Sequence, residues 1–176
     1  TSLFDGEDHL FEGLFPGNYS LSENHEGWDM ATNCHDDNEA SVDPSDIDLT
    51  AGGTITCTFT NTKYGSISGY KWNDINGNSE RDCSYLNDEE TRTCEDKLSE
   101  WTIFLDSNDN GELDSEESSI KTDADGNYQF SDLLPGTYSV CEVEQDGWTR
   151  IYPSETNCHT VRLSAGDQLD DFNFGN

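Results

Sequence analysis

Twelve consecutive residues, Asp106 to Glu117, place side-chain oxygens at positions 1, 3, 5, 9 and 12: Asp106, Asn108, Asn110, Asp114 and Glu117. Gly111 stands at position 6, where a sharp turn is needed, and Leu113 at position 8 is apolar. Oxygens at alternate positions can turn inward around one hard cation, with Glu112 offering its carbonyl and Glu117 a bidentate carboxylate. That register predicts an EF-hand-like calcium loop in preference to a plain solvated turn. A second stretch repeats it in part: Asp74, Asn76, Asn78, Glu80 (through its carbonyl) and Asp82 hold positions 1, 3, 5, 7 and 9. It departs from the pattern at Ser79, where glycine is usual, and at Tyr85 in position 12. Asp123 and Asp125 read either as extra ligands to one of these loops or as a two-residue hairpin turn. Calcium is the cofactor expected.

The rest of the chain has to hold such loops in place. Its 176 residues suffice for one large or two small domains. Acids outnumber bases 38 to 8, a net charge of −30. That field repels nucleic acid and anionic membrane surfaces, and it burdens the folded state unless cations sit among the carboxylates. Disorder is the default for so acidic a chain, but aromatics make up 11% of residues and recur in strand-like runs. No apolar run is long enough for a membrane-spanning helix, and the chain opens without Met or a signal-like region. It reads as a mature or excised piece of an extracellular or cell-surface protein. Six cysteines, an even count, agree with an oxidising compartment. Leu134 to Tyr138, Leu-Pro-Gly-Thr-Tyr, resembles a cell-wall sorting signal only superficially; no hydrophobic stretch or basic tail follows, and it reads as a turn.

Two parts of the chain echo each other. Asp5 to His35 runs parallel to Asp125 to His159 through a shared skeleton: Asp-Gly, an aromatic, Leu, Pro-Gly, Tyr, an alternating strand, Gly-Trp and Asn-Cys-His. The tails that follow also match, Asp48 to Asn61 against Arg162 to Asn176. Residues 65–176 therefore form a complete module, preceded in residues 1–64 by the later half of another. The junction, Asn61 to Gly65, is too short and too poor in Gly and Ser for a floppy tether. In the second module, SISGYKW, WTIFL, NYQF, TYSVCEV, HTVRL and DDFNF alternate as strands between Asp/Asn/Gly or Pro-Gly turns. Helical periodicity is missing, so the pattern predicts an all-β, antiparallel, Ig-like sandwich.

These motifs together, GSISGYKWNDINGNSERD, WTIFLDSNDNGELDSEE, TDADGNYQFSDLLPGTYSVCEV and the closing FNFGN, resemble the calcium-binding B domains of serine-aspartate repeat adhesins. Those domains belong to the wider prealbumin-like repeats that include the collagen-adhesin B domains. The resemblance covers the whole second module and the later strands of the first. It implies seven-stranded sandwiches repeated in series as a cell-surface or fibrous stalk, stiffened by calcium and without catalysis. It also implies that Glu95, beyond the Cys83–Cys94 insertion, is the delayed carboxylate of the first loop.

Repeat position also pairs the cysteines. Cys34 and Cys158 are equivalent, each in Asn-Cys-His, while Cys57 and Cys141 are private to their modules and lie on other strands. Cys34–Cys57 and Cys141–Cys158 follow, and Cys83–Cys94 closes the insertion. Zinc held by two Cys-His pairs lacks the two-cysteine spacing. Some relatives carry a Lys–Asn isopeptide bond, which directs attention to Lys71, Glu142 and Asn176. There the lysine lies two residues before the Asp that opens the next loop. Trp72 holds that place here, and alternation then turns Lys71 to the opposite face, so no such bond is expected. The four histidines stand in no recognisable nucleophile motif, and Asn18 heads the one glycosylation sequon.

The sequence thus predicts a non-enzymatic, structural repeat segment of an extracellular fibre. Its partners are neighbouring repeats or identical subunits in a head-to-tail array, with no nucleic acid and no membrane insertion. The alternative is an adhesin-type module that binds glycan or protein through Trp28 and Trp148. Those two residues share one repeat position, which favours a common structural role. Residues 1–64 hold no counterpart of GSISGYKW or WTIFL, so upstream sequence or another chain is expected to complete the first module.

Overall fold

The computed structural model describes residues 6–24, 26–85 and 92–176. Among them the chain forms strands and no helix, so no helix is long and apolar enough to cross a membrane. Two compact units appear, Thr1–Asn61 and Thr62–Asn176.

The first unit contains β1 (Gly17–Tyr19), β2 (Trp28–Asp36), β3 (Ser41–Val42), β4 (Ile47–Leu49) and β5 (Ile55–Lys63), whose last residues run past the boundary. β1 pairs with β4, and β2 lies between β3 and β5 in a small sheet. Residues 7–16 precede β1 and belong to no strand.

The second unit opens with β6 (Gly65–Trp72), followed by the hairpin β7 (Cys83–Tyr85) and β8 (Arg92–Cys94) of the insertion, whose tip, 86–91, lies outside the described residues. Then come β9 (Thr102–Asp106), β10 (Ser119–Lys121), β11 (Asn127–Leu133), β12 (Gly136–Glu142), β13 (Cys158–Leu163), β14 (Gln168–Leu169) and β15 (Phe174–Gly175). One sheet runs β10-β9-β12-β13; the other runs β11-β6-β14, with β15 continuing along β6. Counting β14 and β15 as one broken strand gives seven in two sheets.

Period-2 alternation explains the packing. Tyr128 and Phe130 on β11 are buried while Asn127 and Gln129 are exposed, and on β13 Val161 and Leu163 alternate with exposed Thr160 and Arg162. With Ile67, Trp101, Ile103, Val140 and Phe174 these side chains make one core. Gly69 is required by close approach: a Cβ there would collide with the Phe172 carbonyl and the Tyr128 ring.

The sandwich differs from the antiparallel expectation at one place. β14 and β15 pair with β6 in parallel, Phe174 against Lys71 and Gly175 against Trp72. The closing strand arrives from β13 in the other sheet by a crossover, so no hairpin forces it to run antiparallel. Only the two ends of the predicted strand at Asp170 to Phe174 lie near pairing; Phe172 N–H instead reaches Ser68 O across a bulge where Asp171 has a φ of 67°.

The internal repeat extends to hydrogen-bond register. Gly17 faces Leu49 and Tyr19 faces Ile47, as Gly136 faces Leu163 and Tyr138 faces Val161. Tyr19 Oη donates to Phe15 O at 2.7 Å, and Tyr138 Oη donates to Leu134 O at 2.6 Å. The same tyrosine ties the same preceding turn in both units.

Three disulfides, Cys34–Cys57, Cys83–Cys94 and Cys141–Cys158, account for all six cysteines. Cys141 and Cys158 are direct cross-strand partners on β12 and β13, and their bond closes the long segment between those strands. Chain entropy for a loop of this size amounts to about 3 kcal/mol. The paired substitution Cys141→Ser with Cys158→Ser is expected to lower unfolding free energy by about that much in denaturant titrations. A loss near zero would show that the bond does not constrain the unfolded chain.

Candidate functional site

The two acidic loops share one wiring. In the loop from Asp74, the Asp74 carboxylate accepts Asn78 N–H at 3.2 Å and Ser79 N–H at 2.8 Å. In the loop from Asp106, the Asp106 carboxylate accepts Asn110 N–H at 3.3 Å and Gly111 N–H at 2.8 Å. The amides of Asn76 and Asn78 donate to Asp82 Oδ2, and those of Asn108 and Asn110 donate to Asp114 Oδ2. Asn78 Oδ1 accepts Glu80 N–H at 2.9 Å, and Asn110 Oδ1 accepts Glu112 N–H at 2.8 Å. Glu117 closes its loop by accepting Ser107 N–H at 2.7 Å and Asp114 N–H at 3.1 Å. Glu95 closes the other by accepting Ile75 N–H at 2.9 Å and Asp82 N–H at 3.1 Å. It reaches the same two loop positions from beyond the inserted hairpin.

Backbone angles explain how Ser79 is accommodated. Both loops take a left-handed conformation at positions 4 and 6: Gly77 (φ 72°) and Ser79 (φ 67°) in the first, Asp109 (φ 57°) and Gly111 (φ 75°) in the second. Each loop has glycine at one of these positions and a side chain at the other. A residue with a Cβ costs about 1–2 kcal/mol there. Turning the asparagine amides over would present oxygens in place of the Nδ2 groups, so both loops have the donor set for a hard divalent cation.

Asp123 sits elsewhere. Its carboxylate accepts Asp125 N–H at 2.9 Å and Asn127 N–H at 2.8 Å, capping the turn into β11. Asp123 and Asp125 act electrostatically on Lys97, whose Nζ donates to Asn127 Oδ1 at 2.7 Å. Among the described residues, one group of potential ligand atoms converges within 4.8 Å: Asp106 with Cys141 and Cys158. Both sulfurs are committed to their disulfide, so this cluster binds nothing. Asn18, on β1, donates its amide to Asp46 at 3.0 Å. Trp148 packs edge-on against Trp101 with ring centroids 5.3 Å apart.

The expectation that Lys71 faces away from the core is overturned. Counting inward-facing positions along β6 from Ile67 through Gly69 leads to Lys71, which is fully buried between the sheets. Trp72 is buried on the other face, against Tyr152 and Gly175. Both faces of β6 are covered at this end, so a buried Trp72 does not require an exposed Lys71. The apolar residue that sets the inward phase is Ile67.

Lys71 Nζ lies 2.9 Å from Glu142 Oε2 and 4.5 Å from the centroid of the Trp101 ring. Lys71, Glu142 and Asn176 are 0%, 3% and 6% exposed. The lysine and glutamate atoms are close but poorly aligned for a hydrogen bond, and Asn176 Oδ1 has no partner. Burial lowers the Lys71 amine from its ordinary 10.5 to about 8, against the pull of Glu142. Burial likewise raises Glu142 above the usual carboxylate range, opposed by Lys71, Arg150 and the Asn176 side chain. β6 supplies the lysine, β12 in the facing sheet the glutamate, and the residue after β15 the asparagine. An amine and a carboxyl, both shifted by burial toward their neutral forms, thus lie with an amide in the interior of the unit.

Residues 88–164 match the family model described as SpaA, a prealbumin-like fold domain. Those residues lie within the second unit, whose two packed sheets agree with a prealbumin-like β-sandwich. Similar solved structures include GBS52, the minor pilin of Streptococcus agalactiae, at 14% identity and a TM-score of 0.39 over 77% of this chain and 57% of that one. The major pilin subunit BcpA of Bacillus cereus is 14% identical, with a TM-score of 0.42 over 88% of this chain and 40% of its own. The Bacillus anthracis TIE protein is 14% identical, with a TM-score of 0.40 over 84% and 24% respectively. The chain therefore spans from about a quarter to three fifths of those proteins. No curated protein matches the sequence.

Two outcomes follow from this geometry. Ser79→Gly and Asp109→Gly each relieve left-handed strain, partly offset by a looser unfolded chain. Each is expected to stabilise by about 0.5–1 kcal/mol in chemical denaturation; destabilisation would mean that the side chain contributes more than the strain costs. The second concerns pH. Lys71 titrates near 8 when folded and near 10.5 when unfolded, so the unfolded chain binds more protons between those values and stability rises with pH. Above 10 Tyr128, whose ionisation burial opposes, acts in the other direction. In Asn176→Ala, where the amine stays free, the melting temperature is expected to climb from pH 8 to 10. Adding Lys71→Met should flatten that climb, and a rise that survives it assigns the effect to another group.

Proposed function

We propose that this chain is a structural repeat segment of an extracellular or cell-surface fibre, whose complete sandwich is sealed by an amide bond between Lys71 and Asn176. The burial of Lys71, Glu142 and Asn176 together, at the meeting of the first and last strands, carries this reading. The neutral Lys71 amine attacks Asn176 Cγ, forming the new C–N bond. Glu142 delivers a proton to the departing amide nitrogen and receives one from the lysine nitrogen. The old C–N bond breaks and ammonia leaves, so atoms and charge balance with no external reactant. Burial of the pair shifts both groups toward the neutral forms that this step needs. A closed self-modification of this kind calls for no turnover and no substrate pocket.

Calcium in the loops beginning at Asp74 and Asp106 completes the proposal. Each loop gathers carboxylates on a chain of net charge −30, and a divalent cation relieves that repulsion in the folded state alone. The adhesin alternative is weaker, because Trp148 spends one edge on Trp101 within its own module. The three disulfides suit an oxidising environment, which supports a location outside the cytoplasm.

Intact mass spectrometry of the reduced, denatured chain tests the seal. The expected mass is that of the sequence less one ammonia, with a Lys71–Asn176 cross-linked peptide after digestion. Glu142→Gln should retain the ammonia, and a full-mass wild-type chain would refute the bond. For the loops, a calcium excess of a hundredfold over the dissociation constant stabilises by about 2.7 kcal/mol. Chelator is therefore expected to lower the melting temperature of Asn176→Ala by several degrees, and Asp106→Ala to remove part of that difference. Identical melting with calcium and with chelator would remove calcium from the account.

A further inference from the structure

We propose that the Cys83–Cys94 disulfide is a redox gate on the loop that begins at Asp74: the oxidised bond completes its cation site, and reduction opens it. This gate rests on the calcium reading given above and governs one of the two sites in it.

The two loops supply the comparison. In the loop from Asp106, Glu117 N–H donates to Asp114 O at 3.1 Å, and Leu105 N–H donates to Ser118 O at 2.9 Å. In the loop from Asp74, Glu95 N–H donates to Asp82 O at 2.9 Å, and Asn73 N–H donates to Asp96 O at 2.9 Å. The frames coincide, so Asp82 takes the place of Asp114 and Glu95 that of Glu117. Along the chain, however, Asp114 and Glu117 lie three residues apart, and Asp82 and Glu95 thirteen. The twelve residues from Cys83 to Cys94 replace the two residues Ser115 and Glu116, and the cysteines are the first and last of them. Their bond joins direct cross-strand partners and gives the loop a short connection again.

The other forces holding this closure are weak. β7 and β8 have three residues each and, among the described residues, pair only with each other. A lone two-stranded hairpin is marginal in water. The Glu95 side has its own anchor, because the Asn73–Asp96 bond and a bond from Leu98 N–H to Lys71 O at 2.9 Å tie the returning chain to the end of β6. The Asp82 side rests on the loop's own amides, on Glu95, and on the Arg81 guanidinium 5.9 Å from the centroid of the Tyr70 ring. Opening the disulfide therefore releases Asp82, the ligand at position 9, from Glu95.

The chemistry is a two-electron exchange with an external dithiol. One thiolate of the reductant attacks a sulfur of the Cys83–Cys94 bond, that bond breaks, and the released sulfur takes up a proton. The reductant's second sulfur then displaces the mixed disulfide, leaving two protein thiols and an oxidised reductant. Access favours this bond over the other two: Cys83 and Cys94 are both partly exposed, whereas Cys141 is 0% and Cys34 2% exposed. The loop from Asp106, continuous through Ser115 and Glu116, is the internal control.

Brief treatment of the full chain with dithiothreitol, followed by alkylation and peptide mapping, is expected to label Cys83 and Cys94 first. Equal labelling of Cys34 or Cys141 would overturn the choice of this bond. Calcium is then titrated calorimetrically into the Asp106→Ala chain, with and without the pair Cys83→Ser and Cys94→Ser. Lengthening the connection from three residues to thirteen is expected to weaken calcium binding by about tenfold through loop closure. Unchanged affinity overturns the gate. Amide exchange in chelator gives a measure without calcium: in the otherwise unaltered chain, the paired serine substitution should speed exchange at Ile75 and Asp82 and leave Ser107 and Asp114 unmoved. Equal exchange at Ile75 and Asp82 in both forms also overturns it. If neither form takes up calcium while exchange at those two amides differs, the calcium reading fails and redox control of loop closure stands.

Discussion

A fully buried lysine lies between the sheets of the second unit, and the surrounding architecture answers to it. An isolated ammonium in such a place is prohibitive, so the fold must pair it, neutralise it or consume it. Glu142 gives it a partner from the opposite sheet, and the Trp101 ring gives it a polarisable face. The pair remains imperfect, with poor hydrogen-bond alignment and an unpartnered amide oxygen beside it. As a stabilising ion pair this would be a bad design. For the amide bond proposed above, an amine and an amide left without firm partners would be an advantage.

The acidic loops obey a different constraint, set by the backbone and not by the core. Their common shape needs two left-handed residues, and glycine supplies one in each loop at exchanged positions. Hydrogen bonds from successive N–H groups to Asp74 or Asp106 hold the turn whichever position carries the glycine. Glu95 shows the same tolerance on a larger scale, since it closes its loop although the chain leaves and returns through a disulfide-bonded hairpin first. What is kept is the set of oxygens, not their spacing along the chain.

Much of this was legible in the sequence because it is local or repeated. Alternation marked β6, β9, β11, β12 and β13, and repeat position suggested how the cysteines pair. The loop residues could be counted off from their spacing. The parallel closing strand was not legible, because alternation carries no direction. Lys71 was misread for a related reason: both faces of β6 are covered at Trp72, so phase had to be counted from Ile67, and a lysine gives no cue that it belongs inside.

The contact between the opening and closing strands of the second unit also has a meaning in time. Lys71 and Asn176 stand toward opposite ends of that unit's sequence, and the pairing of β15 with β6 brings their strands together. An amide formed there would be irreversible, so it would record that one correct fold had been reached, and the record would survive later unfolding. A population of such molecules would carry its own history: sealed chains would have matured, and unsealed ones would have been truncated, misfolded or too young.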